Sequence, residues 1–268
     1  MTTIPAPATS TRPVSAEFDG VRALVTGGAS GIGRATARAL QMRGAAVGSL
    51  DLRPLTEPEE GILEVPCDVG NEDSVGEAVA EVTERLSGLD VVVSNAGIGS
   101  TGGVEDVTDE EWHHIFDINV VGTARLVRAA LPHLRQSAPT GRAAIVCTGS
   151  LAAWTGLVKR AAYSASKGAL HALVLAMAAD LVGEGIRVNA VAPGTADTPW
   201  VQRLLAATPD PDSALAALRA RQPTGRLVAA EQVAHAVCYL ASPLAGATTG
   251  TVLQVDGGSH SLVLPPAQ

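Results

Sequence analysis

From residue 21 onward, short apolar runs of strand length alternate with longer stretches of helical periodicity. The strand-like runs fall at 21–26, 45–51, 62–67, 89–94, 143–147, 186–191 and 251–255, and the helical stretches at 31–43, 71–87, 109–135, 161–183 and 230–241. Runs that stay apolar on consecutive residues fit strands covered on both faces, and their alternation with helices implies βαβ units. The pattern therefore predicts an α/β fold: a doubly wound, seven-stranded parallel sheet with helices on both faces. No Pro/Gly/Ser-rich linker interrupts the alternation after residue 20, so one domain over 18–268 is expected. The first residues, 1–17, are rich in Thr, Pro, Ala and Ser and are expected to form a disordered tail.

One segment breaks the rhythm. Residues 197–225 carry Pro199, Pro209, Pro211 and Pro223 around two short Ala/Leu-rich helical pieces, directly after the sixth strand-like run and Pro193. Ligands of such sheets bind beyond the carboxyl ends of the strands, where an irregular excursion is well placed to act as a substrate lid.

Composition narrows the class of protein. Apolar residues make up 46% of the chain and charged residues 17%, as suits a large buried core or subunit contacts. The net charge is −8 and no basic run exceeds Lys159-Arg160, which argues against nucleic acid as a partner. The cysteines Cys67, Cys147 and Cys238 lack paired or metal-type spacing, so neither a disulfide framework nor a bound metal is expected. No uncharged apolar run approaches the ~20 residues that cross a bilayer, and the first residues have no apolar signal core. A cytoplasmic protein without membrane partners is the expectation.

The first strand-to-helix junction carries Val25-Thr26-Gly27-Gly28-Ala29-Ser30-Gly31-Ile32-Gly33. Gly27 permits the tight turn, Gly31 lets backbone approach a pyrophosphate, and Gly33 lets helix and strand pack closely, while the helix N-terminus offers free N–H groups. Asp51 ends the second strand 18 residues after Gly33, where a carboxylate accepts from the adenosine ribose and repels a 2′-phosphate. With Ser30 rather than a basic residue before the second glycine, the expected cofactor is NAD. Arg53, two positions after Asp51, is an alternative phosphate contact that would admit NADP. Asp68 and Val69 end the third strand and Asn95-Ala96-Gly97 the fourth. Asp68 and the Asn95 segment either meet the adenosine or cap turns.

Tyr163 and Lys167 stand four apart in a helical stretch, hence on one face. A nearby ammonium and an oxidised nicotinamide favour the phenolate, making Tyr163 a candidate acid/base group near neutral pH. Of 19 basic residues only Lys159 and Lys167 are lysines, which sharpens the pairing. Ser150 follows the fifth strand-like run, at the edge where ligands bind. Asn119 sits mid-helix, where its polar side chain is mildly unfavourable without a partner.

In order and spacing, the glycine turn, Asn95-Ala96-Gly97, Asn119, Ser150, the Tyr163/Lys167 pair and Pro193-Gly194 resemble the short-chain dehydrogenase/reductase family over about residues 19–258. That resemblance implies a Rossmann-type fold and a catalytic tetrad. In it, Asn119 holds a proton-relay water, Ser150 orients substrate, Tyr163 is the acid/base, and Lys167 binds the nicotinamide ribose. It further implies that Thr198 contacts the carboxamide, that Ile32 and Val191 line the cofactor cleft, and that the protein is a homo-oligomer, commonly a tetramer. A finer resemblance links 193–199 and 221–226 to the branch of cytosolic 3-hydroxybutyrate and 2-keto-3-deoxy-sugar-acid dehydrogenases. There arginines hold a substrate carboxylate, which marks Arg160, Arg221 and Arg203, with Trp154 and Trp200 flanking the pocket. The function so implied is NAD-dependent interconversion of a secondary alcohol and its ketone, on a small, anionic hydroxy acid or sugar acid. The alternatives are a dehydrogenase for an uncharged sugar, steroid or cyclic alcohol, and a non-catalytic NAD-binding regulatory protein.

Overall fold

A computed structural model describes residues 17–53, 58–206 and 208–263. The expected tail lies outside these residues except for Glu17, whose carboxylate accepts a hydrogen bond from the Ser242 hydroxyl. In chain order the elements are β1 (Arg22–Thr26), α1 (Gly31–Gln41), β2 (Ala46–Asp51), β3 (Ile62–Pro66), α2 (Glu72–Leu86), β4 (Val91–Ser94) and α3 (Asp109–Phe116). A π-helical turn, Asp117–Val121, then leads into α4 (Gly122–Ser137), followed by β5 (Ala144–Thr148), α5 (Ala161–Leu181) and β6 (Arg187–Pro193). The chain continues as β7 (Ala196–Asp197), α6 (Pro199–Ala206), α7 (Pro211–Ala220), β8 (Val228–Ala229), α8 (Ala230–Ala241) and β9 (Val252–Val255).

Seven strands form one parallel sheet in the order β3-β2-β1-β4-β5-β6-β9. Successive side chains of a strand point to opposite faces, so each central strand feeds two cores. Leu24, Val92, Ile145 and Val188 pack with α2, α4 and α5 on one face. Val25, Val91, Val93 and Val146 pack with α1 and α8 on the other. Chain direction across the sheet reverses between β1 and β4, which opens a crevice at the carboxyl ends of those strands.

Two features depart from the expected elements. The helix expected over 109–135 is two helices joined by the π-helical turn. The expected lid segment folds as α6 and α7, its base closed by a two-stranded parallel pair, β7 with β8, that was not anticipated. Ala161–Glu184 is long and apolar enough, by length and composition, to cross a membrane. In the fold it covers the sheet, with Leu170, Val174 and Leu181 in the core.

Arg187, at the start of β6, is buried and has no ion pair among the described residues. Its guanidinium donates to the carbonyls of Leu240 (2.7 Å), Ala241 (3.3 Å), Ser242 (2.9 Å) and Thr248 (3.5 Å). The carbonyls at the end of a helix have no partner within it, so this side chain caps the end of α8 from inside the protein. Arg187→Met keeps the apolar stem but strands those acceptors. A loss of at least ~2 kcal/mol is expected, seen as a fall of ~4–8 °C in the thermal midpoint. An unchanged midpoint would show that water or neighbouring groups cap the helix equally well.

Candidate active site

At the β1–α1 junction Gly27 and Gly31 take left-handed backbone angles (φ +66° and +53°), which turn the chain sharply into α1. Ser30 precedes α1 in extended conformation without a side-chain cap, and the first turn of α1 contains no acidic residue. Its N–H groups and the positive end of its dipole therefore face outward for an anion. Ile32 is partly buried against the core. The Asp51 carboxylate rims the turn, accepting from the Ala29 amide (3.0 Å) through Oδ2 and from the Arg53 amide (3.1 Å) through Oδ1.

Asn95 works as a tie behind this turn. Its Nδ2 donates to the Thr26 carbonyl (3.0 Å), its Oδ1 accepts from the Thr148 hydroxyl (3.1 Å), and the amides of Asn95 and Ala96 both donate to Thr26 Oγ1 (3.0 Å). Asp68 is exposed and caps its own turn, accepting from the Gly70 amide (2.8 Å), while Val69 packs on the core. The Gly97 Cα faces the Asn119 carboxamide and the Lys167 ammonium. At the far side Val191 is buried at the end of β6, Gly194 bonds to the Val255 carbonyl (3.0 Å), and Thr198 with Pro199 lies against Gly31.

Beyond the carboxyl ends of β4 and β5 the four tetrad candidates converge. Asn119 lies in the π-helical turn, buried, with Oδ1 accepting from the Ile98 amide (2.8 Å) and Nδ2 donating to the Ile98 carbonyl and Ser166 Oγ (both 3.0 Å). Ser166 Oγ donates in turn to the Tyr163 carbonyl (2.8 Å). Lys167, on the same face of α5 as Tyr163, donates from Nζ to the Thr148 carbonyl (2.9 Å) and sits 5.9 Å from the phenol ring centroid. Ser150 caps the short turn Leu151–Ala153, its hydroxyl accepting from the Ala152 amide (3.1 Å), and is a polar neighbour of the Tyr163 phenol.

Burial dominates the electrostatics here. It pushes the Tyr163 phenol above its ordinary value, while the Ser150 hydroxyl and the Arg160 charge pull the other way. Burial also lowers the Lys167 ammonium to about 8 and, helped by repulsion from Lys167, the His171 imidazole to about 4. The sequence leads one to expect Lys167 to lower the phenol. In the protein by itself that ammonium is turned to the Thr148 carbonyl, and Arg160 is the cation acting on the phenol.

Arg160 is partly buried at the N-terminal end of α5 and has no ion pair among the described residues. It donates to the Ser100 carbonyl (2.8 Å) and Thr101 Oγ1 (3.1 Å), and its guanidinium lies 5.5 Å from the centre of the Trp200 ring. Burial lowers its pKa, and the exposed Arg221, from the end of α7, adds repulsion, so both cations address one region. Trp200 is also seated on Gly99. Arg203 is exposed instead in a cleft of about 660 Å³ beside Thr198, Pro199 and Glu231, which no tetrad candidate lines. The Trp154 ring lies 4.6 Å from that of His171 and 5.1 Å from that of His260, tilted against both. The Thr148 carbonyl and His171 were not singled out from the sequence. A main-chain acceptor leaves no mark there, although His171, one further turn along from Lys167, continues the face that carries Tyr163.

A family model described as enoyl-(acyl carrier protein) reductase matches residues 27–260. The cis-4-hydroxycyclohexanecarboxylate dehydrogenase of Sinomonas cyclohexanicum is 40% identical over 245 residues, covering 88% of this chain and 95% of that protein. Among solved structures, the aldohexose dehydrogenase of Thermoplasma acidophilum superposes with a TM-score of 0.87 at 31% identity, over 95% of this chain and 99% of that one. The 3-ketoacyl-(acyl-carrier-protein) reductase of Brucella melitensis, solved with NADH, gives a TM-score of 0.82 at 31% identity, over 91% and 99%.

Proposed function

The chain belongs to the short-chain dehydrogenase/reductase family, and from that premise we propose that it oxidises the secondary alcohol of a small hydroxy acid with NAD. It is an oxidoreductase acting on an alcohol; the cofactor and the acidic substrate are the inference. A dinucleotide fits the uncapped, acid-free first turn of α1, with Asp51 at its rim for the ribose hydroxyls. The bound nicotinamide would supply the hydride acceptor. Ser150 orients the substrate oxygen beside Tyr163, which takes the hydroxyl proton. Lys167 and the Asn119 turn hold the groups through which that proton leaves. Gly31, Pro193, Gly194 and Thr198 bound the cofactor cleft.

The observation that carries the acidic substrate is Arg160: a half-buried guanidinium acting on the Tyr163 phenol, with Arg221 nearby and no carboxylate paired to it among the described residues. A substrate carboxylate completes that arrangement. The Sinomonas relative, named for a cyclic hydroxy acid, points the same way, whereas the aldohexose dehydrogenase supports an uncharged sugar as the second reading. Buried, unpaired cysteines suit a cytoplasmic protein. Exposed Leu175, Val182, Leu262 and Val263 suit a homo-oligomer, in line with the tetramers common in the family.

The test is a panel of hydroxy acids, sugar acids and neutral sugars with NAD and NADP, read as NADH or NADPH formation. Acids should turn over with NAD. Arg160→Ala should lower kcat/KM for the acid by ~10- to 150-fold, the range of a charge-assisted contact, and for its methyl ester much less. Equal losses would give Arg160 a purely structural role, and turnover of neutral sugars alone would establish the second reading.

A further inference from the structure

Three charged side chains near the adenosine end of the proposed cofactor cleft have no part in the chemistry above. Arg34 follows Gly33 directly, and its amide bonds to the Ser30 carbonyl (3.2 Å), so it stands in the first turn of α1. One residue before Ser30, the Ala29 amide bonds to Asp51 (3.0 Å). Arg34 and the ribose-edge carboxylate are thus anchored to adjacent residues of a single turn. Arg38 lies one helical turn further on.

Both guanidinium groups are held by one acid, Glu59, in the connection between β2 and β3. Arg34 Nε donates to Glu59 Oε1. Arg38 Nε donates to Oε2 (2.8 Å), and its Nη2 lies 2.6 Å from Oε1. The Glu59 side chain is 13% exposed, against 35% for Arg34 and 52% for Arg38, so the acid is enclosed by the cations it serves. Burial opposes its charge, yet the two arginine hydrogen bonds keep its carboxyl below the ordinary range. Arg38 also feels Glu231 on α8. Arg34 has no second ion-pair partner among the described residues, so it is the cation that Glu59 alone neutralises.

We propose that Glu59 is a determinant of cofactor choice: by pairing Arg34 it withholds from a 2′-phosphate a cation rooted in the same glycine turn that carries the ribose-edge carboxylate. This rests on the NAD reading and extends it. Asp51 repels a 2′-phosphate, and Glu59 removes the charge that would otherwise attract one. Discrimination against NADP then has two separable parts, one from each side of the glycine turn.

The experiment measures NADH and NADPH dissociation constants by nicotinamide fluorescence, with full-length wild type and variants. Glu59→Gln should tighten NADPH binding by about 10-fold and leave NADH within a few-fold. Arg34→Met added to Glu59→Gln should erase the gain, and Glu60→Gln, with the same change in net charge one residue away, should not reproduce it. A Glu59→Gln protein with unchanged NADPH affinity, or a gain shared by Glu60→Gln, overturns the proposal. Should Glu59→Gln fail to fold, Arg34→Met alone still decides. The proposal requires it to leave NADPH binding unaltered, and a weakened NADPH complex would show that Arg34 serves the phosphate despite Glu59. Wild-type and Asp51→Ala proteins separate the two levels. A wild type that prefers NADPH refutes the NAD reading itself. If instead wild type prefers NADH and Asp51→Ala narrows the gap while Glu59→Gln does not, only the Glu59 proposal fails.

Discussion

Tyr163→Phe is expected to lower alcohol turnover by ~10²–10⁴, the usual contribution of a positioned acid/base group, while NADH binding stays within a few-fold of wild type. The substitution removes one oxygen and keeps the ring, so its packing against the cluster of Val107, Ile115 and Ala162 is preserved. What is lost is the hydroxyl, the group on which Ser150 and the Arg160 charge act. Because burial holds the phenol above its ordinary value, the phenolate is scarce at neutral pH. Alcohol oxidation, which needs the phenolate, should therefore rise with pH toward the alkaline side. Ketone reduction, which needs the phenol, should fall over the same range. Steady-state rates in both directions from pH 6 to 10 check this. Wild-type-like kcat in Tyr163→Phe, or parallel pH profiles in the two directions, would remove Tyr163 from the chemistry.

Gly33→Ala is expected to weaken NADH binding at least ~10-fold and to lower the thermal midpoint by several degrees, as overpacking a rigid site costs ~1–3 kcal/mol. An added Cβ would fall 2.0 Å from the Gly27 carbonyl oxygen, 2.7 Å from its carbon and 2.5 Å from Asn95 Nδ2. None of these neighbours can yield cheaply. Two are backbone atoms of the turn itself, and Asn95 is tied to Thr26 on one side and Thr148 on the other. The turn must open, and the amides that would face the phosphates open with it. Gly76→Ala in α2, where nothing lies within 4 Å of the added carbon, serves as the control and should weaken neither property. Normal NADH affinity in Gly33→Ala, by fluorescence titration, would refute the assigned role of the turn.

The sheet was legible because its central strands are covered on both faces. Val91, Val92 and Val93 are all fully buried, and such a run stands out wherever it occurs. The break at Asp117–Val121 was hidden, since a π-helical turn adds one residue without altering the run of polarity on either side. Asn119, polar in mid-helix, was the single outward sign of it. β7 and β8 are two residues each, too short for any periodicity.

At the site, Tyr163 and Lys167 are four apart on one helix, so local geometry alone predicts that they share a face. Asp51 and Asn95 were recognisable as polar strand ends, but not how far their side chains are taken up in holding the glycine turn. The Glu59 pairings were out of reach. They join residues 21 and 25 positions apart whose types are ordinary at any surface. Arg160 carried its own signal, but the Trp200 ring beside it comes from another element, and their meeting is a matter of tertiary packing.

The short pair of β7 with β8 also governs how residues 198–227 can change over generations. Ala196 lies beside Val228 and Asp197 beside Ala229, so both ends of that excursion are pinned together whatever runs between them. Once the ends are fixed, chain entropy depends only weakly on length: doubling a flexible loop costs about 0.6 kcal/mol. The stretch is thus a cassette. Insertions, deletions or wholesale exchange between Asp197 and Val228 leave the hydrogen-bond ladder of the main sheet untouched. A lineage carrying this fold can rebuild that stretch without repeating the search for a stable core.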